Sequence, residues 1–481
     1  MAAIEADEDG SVRIGADGPR LTLALPRHAI GADGSDAFSW QARTTVDPDE
    51  VETVCVAGAL RATIRHEIGL ETWRVRVALD NTSDETLSLS RGLLEVDRGR
   101  GTAWVWAARS AGLLVLALDP SDPIWALALK QGLLTRDADQ VVWIEDGTQL
   151  AASGRLVMEL SGRRMSDWTQ VGSLLPSWLP PLAVRGGEPI EFALPDAGFV
   201  GPDCAIGEGS ASTEIHGEGV RSVSVRGVFG ELDLELAFAP RLEEAVGAAA
   251  RQIARLVTQV PGAVHQLTDT GPAARSRGLE RTARRLIVLQ AAHSDAAADI
   301  VRGVLLDGVT DLLQSGGVPG PFALAALAGE LQRRDDPQAL RALLDAFGEV
   351  EAEPGMLVAL TRVWAVLWGL GHDPEPVRQT LAWVMAQPGG GRLVEIERAI
   401  VGGAPDGPVR LLAVLGGGLP GDPLPAPEPW ERAYAAALVS LVPDDHSERQ
   451  HLVQAAEATA RRVTARDPGD ADVLAWLLLG E

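Results

Sequence analysis

The sequence predicts a large antiparallel β-sandwich over residues 1–240, followed by an all-α domain of helical hairpins over residues 241–481. Two observations lead to this prediction. Short runs of alternating polar and apolar residues fill the first half, and a helical period of about 3.6 residues fills the second. The hydrophobic fraction of 46% is high enough for a sizeable core in each half.

Alternation with a period of two marks the strands of the first half. The run "ETWRVRVALD" places Trp73, Val75, Val77 and Leu79 on one face, and "ELDLELAF" near residue 235 repeats the pattern. Turn sequences such as "DNTSD" separate these runs, and no helical pattern lies between them. Closely spaced short strands predict an antiparallel arrangement. The series is too long for one small immunoglobulin-like domain, so we expect a large two-sheet sandwich.

A helical period begins at "APRLEEAVGAAARQIARLV" and continues to the end of the sequence. Dense Gly and Pro punctuation, such as "EVEAEPG" and "GHDPEP", divides this half into about a dozen helices. Paired helices of this number form either an open solenoid or a closed ring of six hairpins, and we favour an (α/α) toroid. Trp364 and Trp368 lie four residues apart, which is the spacing of a packing stripe.

Composition excludes several classes of function. The net charge of −25 disfavours binding to nucleic acid or to an anionic membrane surface.

The first residues contain neither a basic nor an apolar signal region, so we expect a cytoplasmic protein. Cys55 lies in a strand-like run and Cys204 in a Gly-rich loop, and two cysteines do not form a disulfide framework. The wealth of Ala, Gly and Arg is typical of a GC-rich bacterial coding sequence.

The order of elements resembles that of glycoside hydrolases in which a β-sandwich precedes an (α/α)6 toroid, such as the bacterial glucoamylase-like and trehalase-like enzymes. The resemblance implies a general acid after the fifth helix and a general base between the eleventh and twelfth. The fifth predicted helix, "PQALRALLDAFGEV", has Glu349 at its end and is followed by Glu351 and Glu353. The eleventh, "SERQHLVQAAEATARRVTA", is followed by "RDPGDAD", which contains Asp470 and Asp472. The resemblance therefore implies Glu351 or Glu353 as the acid and Asp470 as the base of an inverting mechanism.

The same carboxylates also fit a purely structural interpretation. Asp470 is suited to capping the last helix, where its negative charge would meet the positive end of the helix dipole. Glu353 precedes Pro354, and a residue before proline commonly marks a helix boundary.

Tryptophans provide the candidates for contact with a sugar ring, because an indole stacks on a pyranose through its apolar face. Trp168 and Trp178 flank the loop-like segment "DWTQVGSLLPSW", and Trp430 follows the long Gly/Pro loop "GGGLPGDPLPAPEPW". These three are the predicted substrate-binding residues. Trp430 fits equally well as an anchor for its loop, and the tryptophans in the strands are expected in the core.

The sequence contains no metal-binding arrangement of Cys and His, no P-loop and no nucleophile elbow, so we expect neither a metal nor another cofactor. Two hypotheses for function remain. The first is a carbohydrate-active protein, either an inverting glycosidase-like enzyme or a relative that binds a glycan without cleaving it. The alternative is a non-catalytic scaffold that binds a protein partner on a helical-repeat surface.

Overall fold

The computed structural model describes residues 4–6, 11–14, 18–31, 34–37, 39–47, 49–99, 101–118, 124–194, 198–200, 213–227, 230–259, 271–292, 296–334 and 337–480. The N-terminal half consists of strands and one short helix, and the C-terminal half consists of helices and one short strand. The predicted fold class, β-sandwich followed by a helical array, is confirmed.

The strands are numbered along the chain. They are β1 Ile4–Ala6, β2 Val12–Ile14, β3 Arg20–Ala24, β4 His28–Gly31, β5 Gly34–Ala37, β6 Gln41–Asp47, β7 Glu50–Ala57, β8 Leu60–Ile68, β9 Thr72–Asn81, β10 Leu87–Leu89, β11 Gly92–Asp97, β12 Thr102–Ala108, β13 Ala111–Ala117, β14 Ile124–Gln131, β15 Thr135–Asp137, β16 Gln140–Ile144, β17 Thr148–Leu150, β18 Arg155–Met165, β19 Ala183–Arg185, β20 Ile190–Phe192, β21 Gly198–Val200, β22 Thr213–Ile215, β23 Gly219–Gly227, β24 Gly230–Ala239 and β25 Asp422–Leu424.

The described strands form five sheets rather than the two that the sequence predicted. The largest has nine strands in the order β25-β12-β13-β14-β18-β9-β8-β7-β6. A hydrophobic core joins one of its faces to a six-stranded sheet, β1-β2-β3-β11-β16-β15, and to a four-stranded sheet, β17-β10-β4-β5. A second four-stranded sheet, β19-β24-β23-β21, packs on the other side.

Burial explains why the sequence patterns of these strands differ. Strand β9 follows the predicted alternation, with Trp73, Val75 and Val77 buried between exposed arginines. Strands β12, β13 and β14 are buried on both faces, so they have continuous apolar runs instead of alternation. Cys55 is buried in β7, and Cys204 lies outside the described residues.

The helices are also numbered along the chain. They are α1 Trp168–Val171, α2 Leu242–Gln259, α3 Pro272–Ala291, α4 Ala296–Gln314, α5 Pro321–Arg334, α6 Pro337–Ala346, α7 Met356–Leu370, α8 Glu375–Ala386, α9 Arg392–Val401, α10 Gly407–Val414, α11 Pro429–Ala437, α12 Arg449–Arg466 and α13 Ala471–Leu478.

Twelve of the described helices follow residue 241, so α6 is the fifth and α12 the eleventh, as the sequence count assumed. Alternate helices contact one another in succession: α3 packs on α5, α5 on α7, α7 on α9 and α11 on α13. Tyr434 on α11 is hydrogen-bonded to Glu397 on α9, and α13 packs back on α3. The chain of contacts among these six helices therefore returns to its starting point.

The helical half and the β half share a core. Strand β25, which lies in the helical half of the sequence, pairs with β12 at the edge of the nine-stranded sheet. Helix α12 packs against β19, β23 and β24, and one hydrophobic cluster contains residues of the sheets and of the helices. The predicted boundary at residue 240 falls between β24 and α2, and the division of the chain into two domains stays a prediction.

Candidate functional site

The amino ends of five helices open on two adjoining cavities of about 470 Å³ and 900 Å³. These helices are α3, α5, α7, α11 and α13. Glu353 precedes α7 and Asp470 precedes α13, and both residues line the smaller cavity. The two loops that the resemblance singled out therefore meet at one end of the helical array.

Glu353 is partly buried against a second carboxyl group, that of Glu280 on α3. A Cβ atom built on Gly320 would lie 2.3 Å from Glu353 Oε1 and 2.5 Å from Glu280 Cδ, so the two carboxyl groups crowd the same glycine. Burial raises the pKa of Glu353 to about 7, and the charges of Glu280 and Glu351 add to the rise. A carboxyl group with this pKa keeps a substantial protonated fraction near neutral pH.

Glu280 is fixed by the amino end of α5. Its carboxylate accepts hydrogen bonds from the backbone N–H groups of Gly320, Phe322 and Ala323 at 2.9, 3.0 and 3.2 Å. Burial raises the pKa of Glu280 to about 6, although these hydrogen bonds and nearby Arg284 act in the opposite direction.

Sequence reasoning missed Glu280 because it looked for carboxylates only in loops. The available signal was a glutamate within an apolar helical face, since Leu279 and Ala283 beside it are buried. A charged residue on such a face requires hydrogen-bond partners.

Glu351 is exposed on the lining of the larger cavity, and the side chain of Glu349 lies outside the described residues. The loop thus presents its glutamates in different environments. Glu351 faces solvent, whereas Glu353 is held beside Glu280.

Asp470 caps helix α13, as the structural interpretation of the sequence anticipated. Its Oδ1 atom accepts hydrogen bonds from the backbone N–H groups of Asp472 and Val473, at 2.9 and 3.2 Å. The adjacent Asp472 forms an ion pair with Arg284, whose Nη1 atom lies 3.6 Å from Oδ1. The guanidinium carbon of Arg284 lies 4.6 Å from the centre of the Phe322 ring, so this arginine contacts the amino ends of both α5 and α13.

The three predicted tryptophans lie in different places. Trp430 lines the cavity with Glu353 and Asp470, and its ring centre is 5.3 Å from that of Trp476. Trp168 is only 1% exposed and belongs to the hydrophobic core, where an indole has no face available to a sugar. Trp178 is partly buried against the same core. Neither Trp168 nor Trp178 is on the lining of the carboxylate cavities.

A buried pair of side chains, Glu397 and Tyr434, is hydrogen-bonded to the backbone just after Glu353. Glu397 Oε1 accepts a hydrogen bond from the N–H of Val358 at 2.8 Å, and its Oε2 is 2.5 Å from the hydroxyl of Tyr434, which donates to it. The same hydroxyl accepts a hydrogen bond from the N–H of Gly355 at 2.9 Å. Helices α9 and α11 thereby fix the first turn of α7, two residues beyond Glu353.

This end of the helical array can perform proton transfer. It combines a carboxyl group that titrates near neutral pH, a second carboxylate at a helix amino end, and an indole beside both. Within the described residues, no group of three or more His, Cys, Asp or Glu side chains could hold a metal ion. No helix in the described part of the chain is both long enough and apolar enough to cross a membrane.

Comparison with known proteins yields a fold and no family. No family model matches the chain, and no curated protein matches it in sequence. Among solved structures, the chain is similar to a polysaccharide lyase, with a TM-score of 0.53 and 9% sequence identity over 96% of this chain and 82% of that one. At this level of identity, the likeness shows a common fold alone.

Proposed function

We propose that this protein is carbohydrate-active and that its helical half binds a glycan at the cavity between Glu353 and Asp470, where it acts as an inverting glycosidase-like enzyme. The observation that carries the proposal is the meeting of two loops far apart in sequence at one cavity, with the pKa of one carboxyl group raised to about 7. We further propose that the six contacting helices form an (α/α) toroid with this cavity at its amino end.

Inversion needs two carboxyl groups with different protonation states. Glu353, protonated near neutral pH, would donate a proton to the leaving oxygen of the glycosidic bond. Asp470 would activate a water molecule from the opposite side. Its hydrogen bonds from the backbone N–H groups of Asp472 and Val473 both go to Oδ1. Such a pair must be roughly 6.5–9.5 Å apart to leave room for the water molecule.

The environment of Glu353 supports its role as the acid. Glu280 is held in place by three backbone hydrogen bonds, so its negative charge stays beside Glu353 and favours the protonated form there. Trp430 would stack on a sugar ring at the mouth of the cavity. The structural likeness to a polysaccharide lyase adds support only for the carbohydrate class of substrate.

A panel of glycans tests the proposal. We expect at least one member of a set of α-glucosides, trehalose and acidic polysaccharides to bind in calorimetry and to be hydrolysed with inversion at the anomeric carbon. The anomer first released is identified by proton NMR. Products with a carbon–carbon double bond, detected by ultraviolet absorption, would show elimination and contradict hydrolysis while keeping the carbohydrate class.

Trp430→Ala tests the location of the binding site. We expect this variant to bind the active glycan at least about tenfold more weakly, because the stacking face is lost. Trp178→Ala serves as the control, since Trp178 does not line the cavity, and it should bind normally. Absence of binding and turnover with every glycan would leave the protein-binding scaffold as the surviving hypothesis.

A further inference from the structure

A separate cavity of about 530 Å³ lies between the β half and helix α12, and it shares no lining residue with the carboxylate cavities. We call it the arginine cavity, because its lining includes Arg136, Arg432, Arg462 and Arg466. Such a concentration of arginines is unexpected in a chain with a net charge of −25.

Two of these arginines share one carboxylate. Arg432 Nη1 lies 2.5 Å from Asp422 Oδ1, and Arg136 Nη1 lies 3.3 Å from Asp422 Oδ2. Asp422 therefore balances one of the two positive charges. Burial lowers the pKa of Arg136, the charge of Asp422 opposes this shift, and Arg432 nearby adds to it.

Arg462 is held by groups without charge. Its Nη1 and Nη2 atoms donate hydrogen bonds to the carbonyl oxygens of Gly421 and Leu419, at 3.1 and 2.8 Å. Burial lowers the pKa of Arg462, the charge of Asp422 acts in the opposite direction, and neighbouring Arg432 lowers the pKa further. A guanidinium group in this position is orientated by the backbone, and its charge is available to an anion.

The remaining acids on the lining are already engaged. Glu235 pairs with Arg466 at 2.6 Å. Asp233 accepts a hydrogen bond from Ser224 at 2.5 Å and lies 3.5 Å from Arg109, which is outside the lining and also pairs with Glu145 at 3.0 Å. The lining thus has four arginines and three acids, Asp233, Glu235 and Asp422, so one positive charge is in excess.

We propose that the arginine cavity binds a small phosphorylated molecule. A phosphate monoester carries a charge of about −1.5 to −2 at neutral pH, so the excess positive charge of the lining favours its binding, and guanidinium groups bind its oxygens in pairs. The cavity is in the size range of small-molecule sites, so it has room for an organic group attached to the phosphate. This site is independent of the proposed action on glycans.

Calorimetry and thermal unfolding of the full-length protein test the proposal with four probes: glucose 6-phosphate, glycerol 3-phosphate, inorganic phosphate and glucose. We expect at least one of the two esters to bind and to raise Tm. Inorganic phosphate should bind more weakly than that ester. Glucose has no phosphate, so its effect should be the same on the wild-type protein and on Arg462→Gln. Lack of binding by both esters would overturn the proposal. If inorganic phosphate binds as tightly as the esters, the proposal that the cavity also recognises an organic group would be overturned.

Variants locate the binding. Arg462→Gln should weaken binding of the ester at least about tenfold, because one charge-assisted contact is lost. Arg466→Gln, at the more exposed rim, should weaken it as well and provides a second test if Arg462→Gln fails to fold. Arg461→Gln is the matched control on the same helix, since Arg461 pairs with Glu457 at 2.8 Å and is not on the lining. Wild-type affinity in a folded Arg462→Gln or Arg466→Gln protein would contradict the assignment.

Discussion

Buried ionisable residues in both halves of the molecule should make its stability depend on pH in opposite directions. Glu397 is fully buried, and burial raises its pKa from 4.5 to about 7. His66 is buried beside Trp73, and burial lowers its pKa from 6.5 to about 4. Each group is thus held in its neutral form by the fold.

For Glu397, the folded state retains a proton that the unfolded chain has already released between pH 4.5 and about 7. The free energy of unfolding should therefore fall as pH rises through this window, by on the order of 3 kcal/mol. We expect Glu397→Gln to remove most of this fall, because its amide cannot ionise. Urea unfolding at several pH values measures the difference. An unchanged slope in the variant would show that Glu397 is not buried in its neutral form.

For His66, the unfolded chain takes up a proton below about pH 6.5 that the folded state binds only near pH 4. Stability should therefore fall as pH drops through this window, again by about 3 kcal/mol. Nδ1 of His66 has no hydrogen-bond partner among the described residues, so we expect His66→Phe to keep the packing. The variant should lose less stability than the wild-type protein as the pH drops from 6.5 to about 4. An equal loss of stability in the two proteins would show that His66 does not cause it.

At the scale of elements, the turn before α7 determines where Glu353 lies. Gly355 adopts a φ of +85°, and a Cβ atom there would lie 2.7 Å from Leu479 Cδ2 and 2.9 Å from Trp476 Cζ3. The amino end of α7 is therefore fitted closely against α13.

We expect Gly355→Ala to destabilise the protein by roughly 1–3 kcal/mol, because it adds both backbone strain and a steric clash. Gly348→Ala is the control. A Cβ atom at Gly348 meets nothing within 4 Å, so its effect should stay within about 0.5 kcal/mol. Thermal and urea unfolding measure both variants, and equal effects would contradict the close fit at Gly355.

The elements also show what periodicity could and could not predict. The helix count was correct because Gly and Pro mark most of the helix boundaries. The spacing of Trp364 and Trp368 was interpreted wrongly as a packing stripe. Their rings stack on each other 5.8 Å apart, and Trp368 is 66% exposed. Spacing places residues on one face of a helix, but only the neighbouring elements decide whether that face is covered.

At the scale of the whole molecule, the β half and the helical half are joined by a common core. Sequence periodicity reports on short stretches of chain, so it could locate the change from strands to helices near residue 240. They could not show that β25 returns to pair with β12, since this pairing joins residues more than 300 positions apart. They likewise could not show Glu280 beside Glu353, because α3 and the loop meet only in the folded chain.

The shared core predicts that the protein unfolds as one unit. We expect the urea transitions followed by tryptophan fluorescence and by far-ultraviolet circular dichroism to coincide. Residues 1–240 and 241–481 expressed separately should fold poorly, because each would expose one side of the common core. Two separate transitions, or a stable isolated half, would contradict this expectation.

We propose that Glu353 acts as an acid in the cavity that it shares with Asp470. The most direct measurement is the pH dependence of glycan hydrolysis by the wild-type protein, Glu353→Gln and Glu351→Gln. Wild-type activity should fall above about pH 7 as Glu353 loses its proton. Glu353→Gln should lower the rate roughly 10²–10⁴-fold, whereas Glu351→Gln, at the exposed position, should retain it. A Glu353→Gln protein with the wild-type rate and pH profile would contradict the claim.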